Sequence, residues 1–225
     1  MNLLGSHDSE RILSALSGAP GRGELSREQQ ARFKLDDAAL AKGKKRLLCA
    51  SALQFSMPQP PCIYYGDEAG MTGLFDPLNR ETYPWGREDG ELTERFRLLG
   101  KLRSVKTALN SGRAAFAALS QDVFAVLRGD EGGTVLTIVN RACESKTVSV
   151  RESDFYEGPD AGEMQFADKY VDLISGKLYR KDYETGGIEL KLDGISSCVL
   201  LGGAEMSRIR QKNGFDERSE RKNYE

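Results

Sequence analysis

The sequence predicts a fold of two parts, a parallel β/α repeat in the first half and an all-β antiparallel sandwich in the second. Two observations support this. In the first half, apolar β-type runs alternate with stretches of helical periodicity. In the second half, short β-type runs follow one another with turn residues between them. The pattern changes at Asn110–Arg113. We therefore divide the chain into residues 1–112, residues 113–203 and a tail at 204–225.

Strand and helix signals alternate through residues 1–112. Asp36 and Asp37 stand where helix-starting acids belong, and Met57–Pro61 ends the same helix because proline has no N–H for the helix ladder. An uninterrupted apolar run after a helix is typical of a strand buried on both faces of a parallel sheet. The predicted elements are a strand at Asn2–Gly5, helical turns within Ser9–Ser17, a loop at Gly18–Gly23, a helix over Ala38–Phe55, a strand at Cys62–Tyr65 and a helix over Leu92–Leu109.

Turn residues divide the second half into hairpins. Asp130–Gly133 separates two β-type runs, which predicts a hairpin. A second hairpin is predicted at Lys169–Tyr179, with its turn at Ser175–Lys177. The remaining polar stretch, from Ala204 onward, predicts a solvated tail or a frayed helix. The other β-type runs are Val123–Leu127, Thr134–Val139, Thr147–Val150, Ile188–Leu192 and Cys198–Leu201.

Composition narrows the classes of function. The 32 basic and 34 acidic residues give a net charge of −2, so we expect neither a nucleic acid nor a membrane as partner. No apolar run approaches the roughly 20 residues that a membrane-spanning helix needs. Four widely spaced cysteines and a single histidine argue against a Cys/His zinc site. Cys198 lies in an apolar run and is expected to be buried; reduced thiols and a cytoplasmic setting are favoured.

The first group of candidate site residues is Ser6-His7-Asp8, directly after the opening strand. These residues do not form a catalytic triad, because three successive residues of an extended chain point in alternating directions. They do place an imidazole and a carboxylate at the exit of a buried strand, where β/α barrels carry their active sites. The alternative is that His7 has a purely structural role.

A second group of candidates follows the next predicted strand. Asp76, Arg80, Tyr83 and Trp85 combine a carboxylate, a guanidinium group and aromatic rings in one loop. Aromatic faces stack on sugar rings, and charged side chains bind ring hydroxyls. The alternatives are that the acids at 67–68 cap and brace the loop, and that the tyrosines at 64–65 are core residues of the strand. The acids at 67–68 are not a facing catalytic pair, since adjacent residues at a strand exit point apart.

At these motifs the chain resembles the α-amylase family, glycoside hydrolase family 13. Asn2–Arg11 (NLLGSHDSER) is similar to the family's late His-Asp motif, with Ser9 where threonine is usual. Pro61–Met71 (PCIYYGDEAGM) resembles its final barrel strand. Asp76–Gly86 (DPLNRETYPWG) is similar to the following loop in neopullulanase, cyclomaltodextrinase and maltogenic-amylase relatives. The resemblance implies that residues 1–112 are the last two β/α units of a TIM (β/α)₈ barrel, followed by a C-terminal antiparallel β-sandwich.

The family cleaves or transfers α-glucosidic bonds with retention. The resemblance implies that Asp8 is the transition-state stabiliser and that His7 binds a hydroxyl of the same sugar. It further implies that Asp76 and Arg80 bind the next sugars of an α-glucan or maltooligosaccharide. No cofactor is implied; calcium occurs in some relatives, but we predict no metal site because no ligand cluster here requires one.

The sequence begins inside a strand-like run, which predicts that it starts in the middle of a larger fold or that its reading frame continues upstream. The segments that carry the family's nucleophile and general acid do not match any part of the chain. We therefore expect no activity from the chain alone, and self-association through the truncated barrel face. The alternative function is a non-catalytic carbohydrate-binding or interaction module that uses Asp76, Arg80, Tyr83 and Trp85.

Overall fold

The computed structural model describes residues 1–110, 113–157 and 164–203. We call residues 1–110 the helical half and the remaining described residues the sheet half. The predicted tail at 204–225 lies outside the described residues, as does the end of the predicted boundary at Ser111 and Gly112. The elements of the helical half are β1 (Asn2–Leu3), α1 (Ile12–Leu16), α2 (Arg27–Arg32), α3 (Asp37–Ser56), β2 (Pro61–Cys62), α4 (Gly90–Val105) and α5 (Thr107–Asn110).

Strands β1 and β2 lie side by side and run parallel, with Asn2 opposite Pro61 and Leu3 opposite Cys62. Helix α3 connects them, which confirms the predicted strand–helix–strand order. Both strands are shorter than the predicted runs. Because the two strands are parallel, their carboxyl ends lie at the same edge, and the two loops with candidate site residues both start there.

Polar side chains fix both ends of the long helix α3. Asp36 is its N-cap and accepts a hydrogen bond from the Ala39 amide at 2.7 Å, as the sequence predicted. At the other end, two buried arginines donate hydrogen bonds to carbonyls of the last turn. Arg103 of α4 donates to the Phe55 carbonyl at 2.7 Å, and Arg128 of the sheet half donates to the Ser56 carbonyl at 2.9 Å. These bonds stand in for the intrahelical partners that the last carbonyls lack.

The sheet half is antiparallel throughout. Seven strands form one sheet in the order β7-β3-β4-β5-β11-β8-β9, and β6 pairs with β10 in a second, two-stranded sheet. Both predicted hairpins are present, at β4–β5 and β8–β9. The strands are β3 (Arg113–Ala118), β4 (Val123–Asp130), β5 (Gly133–Asn140), β6 (Lys146–Arg151), β7 (Tyr156–Glu157), β8 (Lys169–Asp172), β9 (Leu178–Arg180), β10 (Gly187–Leu192) and β11 (Ser196–Gly202), with a 3₁₀ turn at Glu152–Asp154.

The large sheet is covered on both faces. Its inner face packs on the two-stranded sheet, so that Leu136, Ile138 and Leu200 meet Ile188 and Leu190 in one core. Its other face packs on α3 and α4 through a second core. This explains why every residue of β5 from Thr134 to Asn140 is buried. The second core contains Val135, Val199 and Leu201 of the sheet together with Leu47, Phe55, Leu92, Phe96 and Leu99 of the helices.

Three local predictions differ from the structure. The helix expected over Leu92–Leu109 is two helices, because Lys106 takes an extended backbone conformation between α4 and α5. The alanine-rich strand β3 was not predicted. Helix α2 was not predicted either, although Ser26 and Gln29 form a capping box at its start. Among the described helices, none is both long and apolar enough to cross a membrane.

Candidate functional site

The two loops with candidate residues meet at the carboxyl ends of β1 and β2. Asn79, in the second loop, is fully buried. Its side-chain amide donates to the His7 carbonyl at 2.9 Å and to the Ser9 carbonyl at 2.7 Å. Arg22 donates to the Asp8 carbonyl at 3.1 Å, and its guanidinium carbon lies 5.0 Å from the centre of the Phe75 ring. The structure therefore joins the turn at His7–Asp8 to the loop that carries Asp76 and Arg80.

His7 and Asp8 project into solvent from this turn. The Asp8 side chain is 76% exposed, and its Oδ1 atom lies 3.3 Å from His7 Nε2. Ser6 has a structural role in this turn: its hydroxyl accepts a hydrogen bond from the Asp8 amide at 3.2 Å. That bond helps to close the turn. An exposed carboxylate beside an imidazole is an arrangement that binds hydroxyl groups.

Asp76 and Arg80 form a pair of their own in the second loop. The Arg80 Nε atom lies 2.7 Å from Asp76 Oδ1, and both side chains are largely exposed. Further along this loop, the Trp85 ring is 80% exposed and lies 4.5 Å from the Tyr83 ring, centre to centre. The loop thus offers charged and aromatic groups to solvent together.

Beneath the loops lies a buried ion pair. Arg11 Nη1 is 3.4 Å from Asp67 Oδ1, donates also to the Tyr65 carbonyl, and its guanidinium carbon lies 4.3 Å from the centre of the Tyr64 ring. Burial raises the pKa of Asp67 to about 6, while the Arg11 charge acts in the opposite direction. A Cβ atom at Gly5 would lie 2.7 Å from Asp67 Oδ2, so this carboxylate packs directly against the backbone that leads into the turn.

These contacts decide the alternatives for residues 64–68. Asp67 is buried and braces the loop, and Glu68 accepts a hydrogen bond from the Gly66 amide at 2.9 Å. The bracing role is therefore the one that the structure bears out. Tyr64 is only half-buried and Tyr65 is exposed, so neither is a core residue of the strand. Among the described residues, no group of three or more His, Cys, Asp or Glu side chains is placed to hold a metal ion.

Comparison with known proteins gives consistent matches. No family model matches the chain. The amylopullulanase of Thermoanaerobacter thermohydrosulfuricus is 32% identical over 212 residues, which are 89% of this chain and 13% of the relative. The cyclomaltodextrinase of Geobacillus thermopakistaniensis is 34% identical over 151 residues, 65% of this chain and 22% of the relative. The chain thus spans between a tenth and three tenths of the curated relatives' length.

Solved structures agree with these matches. A crystal structure of an Anoxybacillus α-amylase superposes with a TM-score of 0.66 at 23% identity, over 90% of this chain and 38% of that protein. These sequence matches relate the chain to the α-amylase family, glycoside hydrolase family 13. Other solved neighbours are complexes with maltotriose, maltose and cyclic α-maltosyl-(1→6)-maltose. Oligosaccharide binding is thus seen among the structural neighbours of this chain.

Sequence reasoning missed three residues that hold the two candidate loops together. Arg11 and Asn79 lie 54 or more residues from their partners in the sequence. Arg22 lies 14 residues from its partner. No local pattern signals such contacts. The nearest available signals were an arginine three residues after Asp8 and an asparagine beside Arg80, each within a motif that the family resemblance already covered.

Proposed function

We propose that these 225 residues are the C-terminal part of a retaining, α-glucan-acting hydrolase or transglycosylase. On this proposal residues 1–112 are the last two β/α units of a (β/α)₈ barrel, residues 113–203 are the C-terminal β-sandwich, and residues 204–225 are a tail. The parallel pair β1–β2, with polar loops at the carboxyl ends of both strands, supports the barrel assignment. The antiparallel sheet order supports the sandwich.

Asp8 is the proposed transition-state stabiliser, and His7 binds a hydroxyl of the same sugar. Asp76 and Arg80 bind the neighbouring sugars. The observation that carries this proposal is the pair of hydrogen bonds from Asn79 to the His7 and Ser9 carbonyls. These bonds join the two loops that carry the four exposed polar side chains.

The same chemistry predicts that the chain does not cleave glucans by itself. Retaining hydrolysis uses a nucleophile and a general acid whose carboxyl groups lie about 5–5.5 Å apart. Asp8, in its proposed role, is neither of them. Asp67 is buried and paired with Arg11, so it is not available to a sugar. A group that stabilises the transition state has nothing to act on without the reacting pair.

Titration with maltoheptaose tests the binding part of this proposal. Trp85 is the only tryptophan, so its fluorescence reports on the loop beside the site. We expect saturable binding, weakened about tenfold or more in Asp8→Asn because a charge-assisted hydrogen bond to the sugar is lost. A wild-type chain that shows no saturation by fluorescence or calorimetry contradicts the binding site.

An assay for new reducing ends, run on the same samples, tests the absence of catalysis. We expect no release of sugar above that of a buffer control. Hydrolysis that copurifies with the wild-type chain and disappears in Asp8→Asn would show that the chain is active and that this part of the proposal is wrong.

A non-catalytic carbohydrate-binding module is the second candidate. The exposure of Trp85, whose ring lies tilted against that of Tyr83, favours it. The two candidates predict opposite results for two variants. If binding is lost in Trp85→Ala but kept in Asp8→Asn, the aromatic surface alone is the binding site. If Asp8→Asn has the larger effect, the carboxylate of the proposed cleavage subsite is the main contact.

A further inference from the structure

Side chains from outside the turn bind three successive backbone carbonyls around Asp8. Asn79 takes the carbonyls of His7 and Ser9, and Arg22 takes that of Asp8 itself. The Asp8 side chain is 76% exposed, and its ion-pair partner is His7 of the same turn. The backbone is thus fixed while the functional group remains exposed, which is the arrangement that a pre-organised binding residue requires.

We propose that Asn79 is a positioning residue, which sets Asp8 and His7 against Asp76 and Arg80. This inference rests on the proposed function for its sugar ligand, but the geometry that it assigns is independent of the ligand. Asn79 lies three residues after Asp76 and directly before Arg80, so its backbone belongs to the loop that carries the second pair. One side chain therefore connects both halves of the site.

The chemistry of the amide makes Asn79 hard to replace at this position. Both of its partners are carbonyl oxygens, so only an NH₂ group with two hydrogens can satisfy them together. Aspartate has the same shape but no hydrogen to donate when ionised, and it would put a negative charge against two carbonyl dipoles. Alanine removes the donor without adding charge. Both substitutions leave two carbonyls without this partner, and the turn is released from the loop.

The sheet half contains a matched control. Asn140 is also fully buried, and its side-chain amide also donates to two backbone carbonyls, those of Glu144 and Asp193, both at 2.8 Å. The residue type, the burial and the number of donated bonds are the same as for Asn79. Two things differ. Asn140 ends β5 and ties together turns of the sandwich, and its Oδ1 atom accepts a hydrogen bond from the Ala142 amide at 3.0 Å, whereas Asn79 Oδ1 has no partner among the described residues.

The experiment compares Asn79→Asp and Asn79→Ala with Asn140→Asp and Asn140→Ala in the full chain. We expect all four variants to lose stability. Only the Asn79 pair should weaken maltoheptaose binding, by about tenfold, because a turn that is released from the loop must be ordered again when the sugar binds. Affinities are measured well below the melting temperature of the least stable variant. Equal loss of affinity in the Asn140 variants would show that the effect is one of general stability and would overturn the proposal.

A second readout needs no sugar. His7 is the only histidine, so its imidazole signals in an NMR spectrum require no assignment. We expect both Asn79 variants to move these signals in the same direction, since both free the His7 carbonyl, and both Asn140 variants to leave them in place. Unchanged His7 signals in Asn79→Ala overturn the positioning role. If the signals move but no variant, nor the wild type, binds maltoheptaose, then the positioning holds and the proposed sugar site fails.

Discussion

The sheet half and the helical half differ in what they bury. In the sheet half, the long strands β4 and β5 are apolar along most of their length, and both faces of the sheet are covered. Both halves bury an asparagine amide, Asn79 in the helical half and Asn140 in the sheet half. The helical half also buries an ion pair, Arg11 with Asp67. It also leaves a carboxylate and an indole ring, those of Asp8 and Trp85, largely exposed.

This difference separates residues that hold the fold from residues that present chemistry. Burying a charge or an amide costs free energy unless it is hydrogen-bonded, and the hydrogen bonds that satisfy such groups hold the neighbouring backbone in one conformation. In the helical half, Asn79 fixes the backbone on either side of Asp8. The sheet half uses the same kinds of bonds at the ends of strands and helices, as Arg128 does at the last turn of α3. The following predictions test this division, in order of their expected effect on stability.

The largest effect should come from the core of the sheet half. Leu136 is fully buried between the two sheets, so Leu136→Ala removes packed methyl groups and leaves a cavity. We expect a loss of about 2–5 kcal/mol in the free energy of unfolding, measured with urea. Lys191→Ala, on an exposed position of β10, should change stability by no more than about 0.5 kcal/mol. A loss below about 1 kcal/mol in Leu136→Ala would mean that the sandwich core is not tightly packed.

The buried acid of the helical half should give a smaller, pH-dependent effect. The pKa of Asp67 is raised to about 6 by burial, so its folded form holds a proton more tightly than its unfolded form, whose pKa is near 3.8. Its contribution to stability is therefore greatest below about pH 4 and is lost as the pH rises through 6. When the pH falls from 7 to 4.5, the free energy of unfolding of the wild type should rise by about 2 kcal/mol relative to that of Asp67→Asn.

Urea unfolding of both proteins at several pH values gives this difference directly. Other carboxylates titrate in the same range, but they are common to both proteins and cancel in the comparison. Two curves that stay parallel between pH 7 and pH 4.5 would show that Asp67 is not buried as described.

Local patterns in the sequence predicted the helices and hairpins better than the site. Helix α3 has an N-cap acid at Asp36 and prolines after its end, and the β4–β5 hairpin has a turn rich in glycine; both signals lie within the element that they define. Strand β3 was missed because its four alanines favour a helix in isolation. Its pairing with β4 along six residues overrides that preference.

The site was predictable only where a motif was recognisable. His7, Asp8, Asp76 and Arg80 were selected because they follow two predicted strands, and the family resemblance then supplied their roles, which remain proposals. The contact between Asn79 and the His7 carbonyl joins residues 72 apart in sequence. No periodicity or turn signal encodes such a contact, because it exists only once two strands lie side by side. The supporting residues of a site are therefore the part of it that requires a structure.

The smallest effect on stability concerns the edge of the β1–β2 pair. This two-stranded pair contrasts with the seven-stranded sheet of the other half. Among the described strands, these two pair only with each other, and Leu3 and Ile63 beside them are 51% and 40% exposed. Unpaired edges with apolar side chains favour pairing with another chain. We expect the wild type to self-associate, with a sedimentation coefficient that rises with concentration. Leu3→Lys should shift the protein toward monomer and change the unfolding free energy by no more than about 0.5 kcal/mol, because a charge at an exposed edge opposes pairing without disturbing a core.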